Sequence, residues 1–528
     1  MRRFVSVLAW LTAAACAAQE AGSLSLSLAD ASQRALAHNT DLFVERENVA
    51  QAGFTVWGAE GAYDLFAATD VRYRDHTDPV NSLFSGAPDD ILAPAAKGVA
   101  VSGTFTQLIP TGGTAQFFGN WERDTTNNVF VPLSPAYSTG FGVSLRQPLL
   151  RDLWIDPARE AIRIASARQG QSVARLRRIV SDVLTQVDSA YWSLVAARRN
   201  VASIAESVEL AGRQLDETKS RVEAGVLGET DIAQPTAEQE RRRGLLATAR
   251  QLVTQNENTL KRLVLGDVAD PDWGKAIVPT DEPEANYEPP PLADMLAVAQ
   301  DKRPEIAEFR AQQTVSEVQV TARKSDVMPR VDLVASYARR GLAGSINPDA
   351  ENFNGGPITV PSPILGGTGR SYGTIGENRF PDASIGLSVS VPITNRTARA
   401  NLAIANSQLQ QSKVDLTATR QQVEAEVRNG AAALETARSR IESSKAARVA
   451  AETQLFAEQE KFNVGLSTNF LVLTRQNDLT QARVTETDAL TDYRKAATEL
   501  ARATGTLLDR RQITLDTPDT SSGPRGRR

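Results

Sequence analysis

One stretch constrains this chain more than any other. From Arg159 to Leu263 the sequence reads as one helical pattern, broken once at Gly225. Val187, Leu194, Val201, Val208, Leu215 and Val222 recur every seven residues, and Val183, Ala190, Ala197, Ile204, Ala211 and Thr218 stand four before each. Apolar positions alternating at three and four define a coiled-coil seam. No proline falls between Ala158 and Gly225, so at ~1.5 Å per residue the first helix would run roughly 100 Å, too long for one compact domain. Many seam residues are small, which lets partner helices lie close. The pattern resumes with Leu246, Val253 and Leu260. Gly225 to Gly228 therefore reads as the turn of a helical hairpin, glycine accepting a positive φ there.

Shifting the numbering by 240 lays this hairpin on a second one, Arg399 to Ala503. Val183, Val187, Leu194, Ala197, Arg198 and Gly225 fall on Val423, Val427, Leu434, Ala437, Arg438 and Gly465. Shared Ala, Gln, Glu and Arg content alone would not keep glycine, seam and flanking strands in register, so the chain reads as an internal two-fold repeat.

The 528 residues carry a net charge of -5, which argues against nucleic acid as a partner, and Arg241 to Arg243 read as a solvated helix face. A single cysteine, Cys16, excludes an internal disulfide framework. It lies in an N-terminal segment with a basic start (Arg2, Arg3), an apolar stretch (Phe4 to Ala15) and a small-residue cleavage region, which together form a secretory signal peptide. Cleavage without lipid is the expectation, because Ala13 stands where a lipidated cysteine usually has Leu; lipid attachment at Cys16 is the minority reading. Beyond this segment no apolar run reaches the ~20 residues a membrane-crossing helix needs, so a membrane-integral form must cross as strands of a closed barrel.

Four segments alternate with period two. Leu65, Ala67, Thr69, Val71 and Tyr73 oppose Phe66, Ala68, Asp70, Arg72 and Arg74, and the pattern recurs at Val331 to Ala338, with Tyr337 matching Tyr73. Phe141, Val143 and Leu145, then Ile385, Leu387, Val389 and Val391, alternate with small or polar residues before Pro148 and Pro392. A soluble sandwich would alternate likewise. The terminal Tyr on the apolar face resembles an interfacial aromatic girdle and favours a membrane barrel. A further pair at 97–124 leaves open a place inside the barrel or outside it. Asp75 to Gly98 and Gly341 to Pro381 read as loops. The Gly366-Gly367-Thr368-Gly369 run lacks the Lys and the strand-then-helix setting of a phosphate cradle.

The expected organisation is a signal peptide (1–18), a first copy (19–266), a Pro- and acid-rich linker (267–291), a second copy (292–504) and a flexible tail (505–528). The first copy has strands at about 64–75 and 138–148 and a hairpin at 158–263 turning at 225–228. The second has strands at about 331–341 and 382–392 and a hairpin at 398–503 turning at 465–468. Four strands cannot close a barrel and open edges do not survive in lipid, so several chains must share one. The fold class is an α+β membrane protein, a shared transmembrane β-barrel continued by a long α-helical coiled-coil barrel.

Over nearly all of the mature chain the sequence resembles the TolC-type outer-membrane efflux family. Leu-Ala-Asp opens each repeat (Leu28 to Asp30, Leu292 to Asp294), and the tips read Arg221-Val222-Glu223-Ala224-Gly225-Val226-Leu227 and Lys461-Phe462-Asn463-Val464-Gly465-Leu466-Ser467. The resemblance implies a homotrimer with a twelve-stranded barrel in outer-membrane lipid and a helical tunnel in the periplasm of a Gram-negative bacterium. It implies an exit duct of a tripartite efflux or type I secretion system, whose tips at Gly225, Val226, Leu227, Gly465, Leu466 and Ser467 meet a periplasmic adaptor linked to an inner-membrane pump. The family often carries pore aspartates six and nine residues after the second glycine, where this chain has Leu471 and Thr474. The candidate gate is therefore Asp231, Leu471, Thr474, Arg475 and Asp478, unless these charges are ordinary solvated ones. Pro235 is expected to kink the returning helix. Only His38 and His76 are present and no metal-ligand spacing or nucleophile elbow is found, so no enzyme activity, metal or cofactor is expected. The competing reading is a periplasmic coiled-coil adaptor or scaffold without a barrel.

Overall fold

The computed structural model describes residues 22–77, 79, 86–88, 91, 93–352 and 358–515. The signal-peptide reading, with Cys16, and residues 516–528 of the tail lie outside them. Strands are β1 (Ser23–Leu26), β2 (Phe66–Thr77), β3 (Ala95–Leu108), β4 (Thr114–Thr126), β5 (Leu133–Pro148), β6 (Ala276–Pro279), β7 (Arg330–Ile346) and β8 (Phe380–Ser390). Helices are α1 (Leu28–His38), α2 (Thr40–Glu60), α3 (Pro157–Glu223), α4 (Ala233–Val264), α5 (Leu292–Lys302), α6 (Pro304–Val327), α7 (Thr368–Gly376), α8 (Arg396–Asn463), α9 (Asn469–Ala503) and α10 (Leu507–Arg510). The described residues divide into two compact units, one drawn from 22–49, Gln171–Phe309 and 416–515, the other from within Ala50–Gly170 and Arg310–Asp415.

The first unit is mainly helical. Pro157 starts α3 where its missing N–H has no intrahelical partner to lose. The seam does the packing: Val183, Val187, Tyr191 and Leu194 of α3 are buried with Leu260, Leu263 and Val264 of α4 and with Leu28, Ala31 and Ala35 of α1. Each fully buried Val or Leu contributes ~1.5–3 kcal/mol. A second cluster joins Val423, Val427, Leu434 and Ala437 of α8 to Tyr493 and Leu500 of α9 and to Met295 and Ile306 of α5 and α6.

The segment expected to be a linker is tied into this unit. β6 pairs in parallel with β1, and the buried Tyr191 hydroxyl lies 2.6 Å from an Asp281 carboxylate oxygen that accepts the Leu28 N–H at the start of α1. Burial, then the hydrogen bond to Asp281, pushes the Tyr191 hydroxyl up to about 12. The strand was hidden because its four residues sit among Pro and Asp and are too few to show a period. The expected flexible tail is likewise ordered at its start. Leu507 is buried in the core, and Arg511 makes two hydrogen bonds, 2.7 and 2.6 Å, to the buried carboxylate of Asp188.

The second unit is organised on an antiparallel sheet in the order β2-β3-β4-β5-β7-β8. It has six strands rather than four, because the pair at 97–124 is inserted between β2 and β5. One hydrogen-bonded row runs Ala67, Phe105, Phe117, Val143, Tyr337 and Ala383. The adjacent row on the opposite face runs Phe66, Thr106, Gln116, Ser144, Ser336 and Ser384. Odd-numbered positions thus form one largely apolar face across all six strands, and even-numbered positions form a polar one. The apolar face is open: Val71 is 70% exposed, Phe117 59%, Ile385 79% and Leu387 66%. An exposed apolar surface of this extent marks contact with lipid or protein.

The region from Gly341 to Pro381, expected to be a loop, is structured at both ends. β7 continues to Ile346, and the Gly366 to Gly369 run leads into α7. Three glycines within α7 argue against a helix by propensity. Contacts with the sheet hold it instead: Thr139 and Ser371 share a hydroxyl hydrogen bond of 2.7 Å, and the Leu342 N–H donates to Thr374 at 3.2 Å. Gly341 allows the approach, since a Cβ there would lie 2.1 Å from the Ser371 carbonyl oxygen.

Candidate functional site

Both hairpin tips end their first helix in the same way. Gly225 has φ +75 and Gly465 φ +77. At the first, the Val226 N–H donates to Arg221 O and the Gly225 N–H to Val222 O; at the second, Leu466 donates to Lys461 O and Gly465 to Phe462 O. This is the Schellman closure, which needs a left-handed residue just past the helix end. The following residues are pushed into solvent: Val226 is 69% exposed and Leu466 79%.

The tips then diverge. After Gly228 the first makes a 3-10 turn, Glu229–Ile232, whose Asp231 carboxylate accepts the Gly228 N–H at 2.9 Å. α4 begins only at Ala233, so Pro235 falls in its first turn rather than beyond it. There a missing N–H breaks no α-helical bond, because the first N–H groups of a helix have no intrahelical acceptor, which removes the reason for expecting a kink. The second tip passes from Thr468 directly into α9. There Leu471 is partly exposed, the Thr474 hydroxyl donates to Phe470 O at 2.8 Å, and Arg475 pairs with Asp478 at 3.0 Å. Asp231 therefore caps its own turn, while Arg475 and Asp478 offset each other.

The tips are joined to each other within the first unit. The Arg221 guanidinium stacks 4.5 Å from the Phe462 ring centroid, and Asn469 donates to the Thr218 hydroxyl at 3.0 Å. An open groove beside them is lined by Gln234, Glu238, Arg241, Phe470, Thr474 and Asn477. Behind the groove lies Arg242, 1% exposed. Its Nε donates to Glu238 (2.7 Å), Nη1 to Ser207 O (2.9 Å) and Gln476 (3.2 Å), and Nη2 to Leu473 O (3.1 Å). One side chain thus fastens α4 to α3 and α9. Burial raises the Glu238 carboxyl, but hydrogen bonds from Arg241 and Arg242 outweigh it and hold the carboxyl below its ordinary value.

Arg242 corrects the reading of Arg241 to Arg243 as a uniformly solvated face. Three consecutive helical residues point in directions ~100° apart, so they cannot share one face. The signal was present in the heptad, for Arg242 stands four residues before Leu246, on the seam itself.

Residues 116–266 and 295–506, more than half of the chain, match the family described as Outer membrane efflux protein. The chain belongs to that family. It is 23% identical over 375 residues to the Outer membrane protein TolC of Vibrio cholerae, covering 69% of this chain and 76% of that one. It is 24% identical over 331 residues to the Outer membrane efflux protein BepC of Brucella suis, covering 62% of this chain and 64% of the relative. The Campylobacter jejuni CmeC outer membrane channel superposes with a TM-score of 0.62 at 15% identity, over 91% of this chain and 86% of that one; at that identity the likeness concerns the fold alone. An outer-membrane efflux protein of this TolC-like fold is a transport duct, and the family is not one of enzymes. Among the described residues no helix is long and apolar enough to cross a membrane.

Proposed function

We propose that this outer-membrane efflux protein is the exit duct of a tripartite efflux or type I secretion assembly. The sheet is the membrane-crossing part and closes with other copies of the chain, as a homotrimer, into a barrel. The observation that carries this reading is the sheet itself: one face apolar through six strands, the other polar, with both edges open. In hydrocarbon an open edge leaves backbone groups without partners at several kcal/mol each, so only a closed barrel satisfies them. The polar face then lines the passage.

The tips receive a periplasmic adaptor that links the duct to an inner-membrane pump. The exposed apolar residues Val226 and Leu466, each held outward by a Schellman turn, support this assignment. The passage narrows near Asp231, Leu471, Thr474, Arg475 and Asp478. The duct is passive, with cargo chosen by the pump. Cell fractionation combined with a photo-crosslinking residue at Leu466 tests the proposal. The expected result is an outer-membrane oligomer that gives a covalent adduct with a periplasmic adaptor. Recovery in the soluble periplasm would exclude the duct, and an outer-membrane protein giving adducts only from the sheet would exclude the tip contact.

A further inference from the structure

The inserted hairpin β3–β4 is not a loop excursion. Its odd positions Val99, Val101, Phe105, Phe117 and Trp121 continue the apolar face in phase with β2 and β5, and its even positions Ser102, Thr104, Gln116 and Asn120 continue the polar one. A hairpin lying outside the membrane would have no reason to keep that phase. The family match begins at residue 116, so β2 and β3 lie outside it.

The sheet is also staggered as a barrel requires. The hydrogen-bonded row that starts at Ala67, one residue above the foot of β2 at Phe66, ends at Ala383, seven residues above the foot of β8 at Ser390. The row climbs six residues (7 - 1 = 6) over six strands. A shear equal to the strand number corresponds to a tilt of about 36°, inside the 35–45° range of outer-membrane barrels. If the feet are level, β8 of one copy meets β2 of the next with Ser390 opposite Phe66, Ser384 opposite Arg72 and Asp382 opposite Arg74. The two strands run antiparallel, the apolar faces coincide, and an Asp meets an Arg on the polar side.

Resting on the trimeric duct proposed above, we infer that β8 and β2 are the subunit interface, each taking a second copy of this chain, and that three copies close an eighteen-stranded barrel rather than a twelve-stranded one. Barrel diameter grows roughly linearly with strand number, so the membrane passage is about 1.5 times wider than twelve strands give, with roughly twice the cross-section. With strands about 4.8 Å apart at that tilt, the wall is about 34 Å across between strand axes. The barrel is then not the narrow point of the duct.

Two measurements on the full-length protein purified from outer membranes test this. Arg72→Cys with Ser384→Cys, in the same chain, places a thiol pair across the seam, and Arg72→Cys with Asp382→Cys is two residues out of register. Oxidation should link the first pair efficiently and the second poorly, with three chains as the largest covalent species. Electron cryo-microscopy of the unmodified protein in lipid nanodiscs should resolve eighteen strands from three chains. Three chains with twelve strands and the β3–β4 hairpin outside the wall would overturn the inference while leaving the duct intact. Two chains with twelve strands, or a seam that links only out of register, would overturn it as well. A protein absent from the outer membrane would remove the duct and this inference together.

Discussion

Arg242→Met keeps the length of a long side chain and removes its guanidinium. The wild-type group makes four hydrogen bonds to three helices at 1% exposure. Removing one member of a buried ion pair costs about 3–5 kcal/mol. The lower end applies, because Glu238 keeps its bonds from Arg241, and Ser207 O and Leu473 O lie inside helices where each also accepts an intrahelical N–H. A loss of about 3 kcal/mol raises local opening on the order of 100-fold. Hydrogen exchange read on peptides covering 233–250 and 469–480 should accelerate by that factor, while peptides of the sheet stay unchanged. Arg243→Met is the control: its pairing with Glu240 is exposed on both sides, and such pairs contribute under about 1 kcal/mol. Equal exchange in the two variants would refute the claim that Arg242 fastens the tip.

Three further outcomes are expected. Leu466→Arg should abolish export by charging the exposed tip residue while leaving oligomer and membrane insertion intact; an unchanged export rate would remove the adaptor contact from this position. Glu238 has its carboxyl held below the ordinary value of 4.5, so its stabilising contribution is full above that pH and is lost as pH falls through the folded value. Thermal midpoints of wild type and Glu238→Gln should therefore diverge above pH 4.5, wild type higher, and converge below it; a constant difference across that range would contradict the assignment. Gly341→Ala would put a methyl 2.1 Å from the Ser371 carbonyl oxygen, displacing α7, and should speed proteolysis between residues 358 and 379 with the six-stranded sheet intact. Wild-type cleavage rates there would show that α7 does not need this close approach.

The long helices and their turns were legible because a heptad seam and a glycine are local signals that repeat over many turns. The strands were legible where alternation ran beyond about four residues, and β6 was not because it has only four. The β3–β4 alternation could be read, but its place between β2 and β5 could not, since pairing is decided by edge-to-edge register and no local residue encodes it. α7 was missed because side-chain bonds from Ser371 and Thr374 to the sheet override a glycine-rich composition. Pro235 differs from its expected place for a related reason: the 3-10 turn Glu229–Ile232, capped by Asp231, precedes α4, so the proline falls in the first turn of that helix. At the tips the glycines were visible, whereas Arg242 was masked by its two solvated neighbours despite its seam position.

The proposed duct requires the sheet to cross lipid with its odd-numbered face outward, and collision accessibility of spin labels tests that directly. Labels on cysteines replacing Val71, Phe105, Phe117, Val143, Leu333 and Leu387, one at a time in the reconstituted protein, should meet dissolved oxygen readily and an aqueous nickel chelate poorly. Labels replacing Arg72, Ser102, Asn120, Ser144, Ser336 and Ser388 should show the reverse. The alternation should be as clear in β3 and β4 as in the other four strands. Nickel access to both faces would contradict a membrane-crossing sheet, and the duct with it.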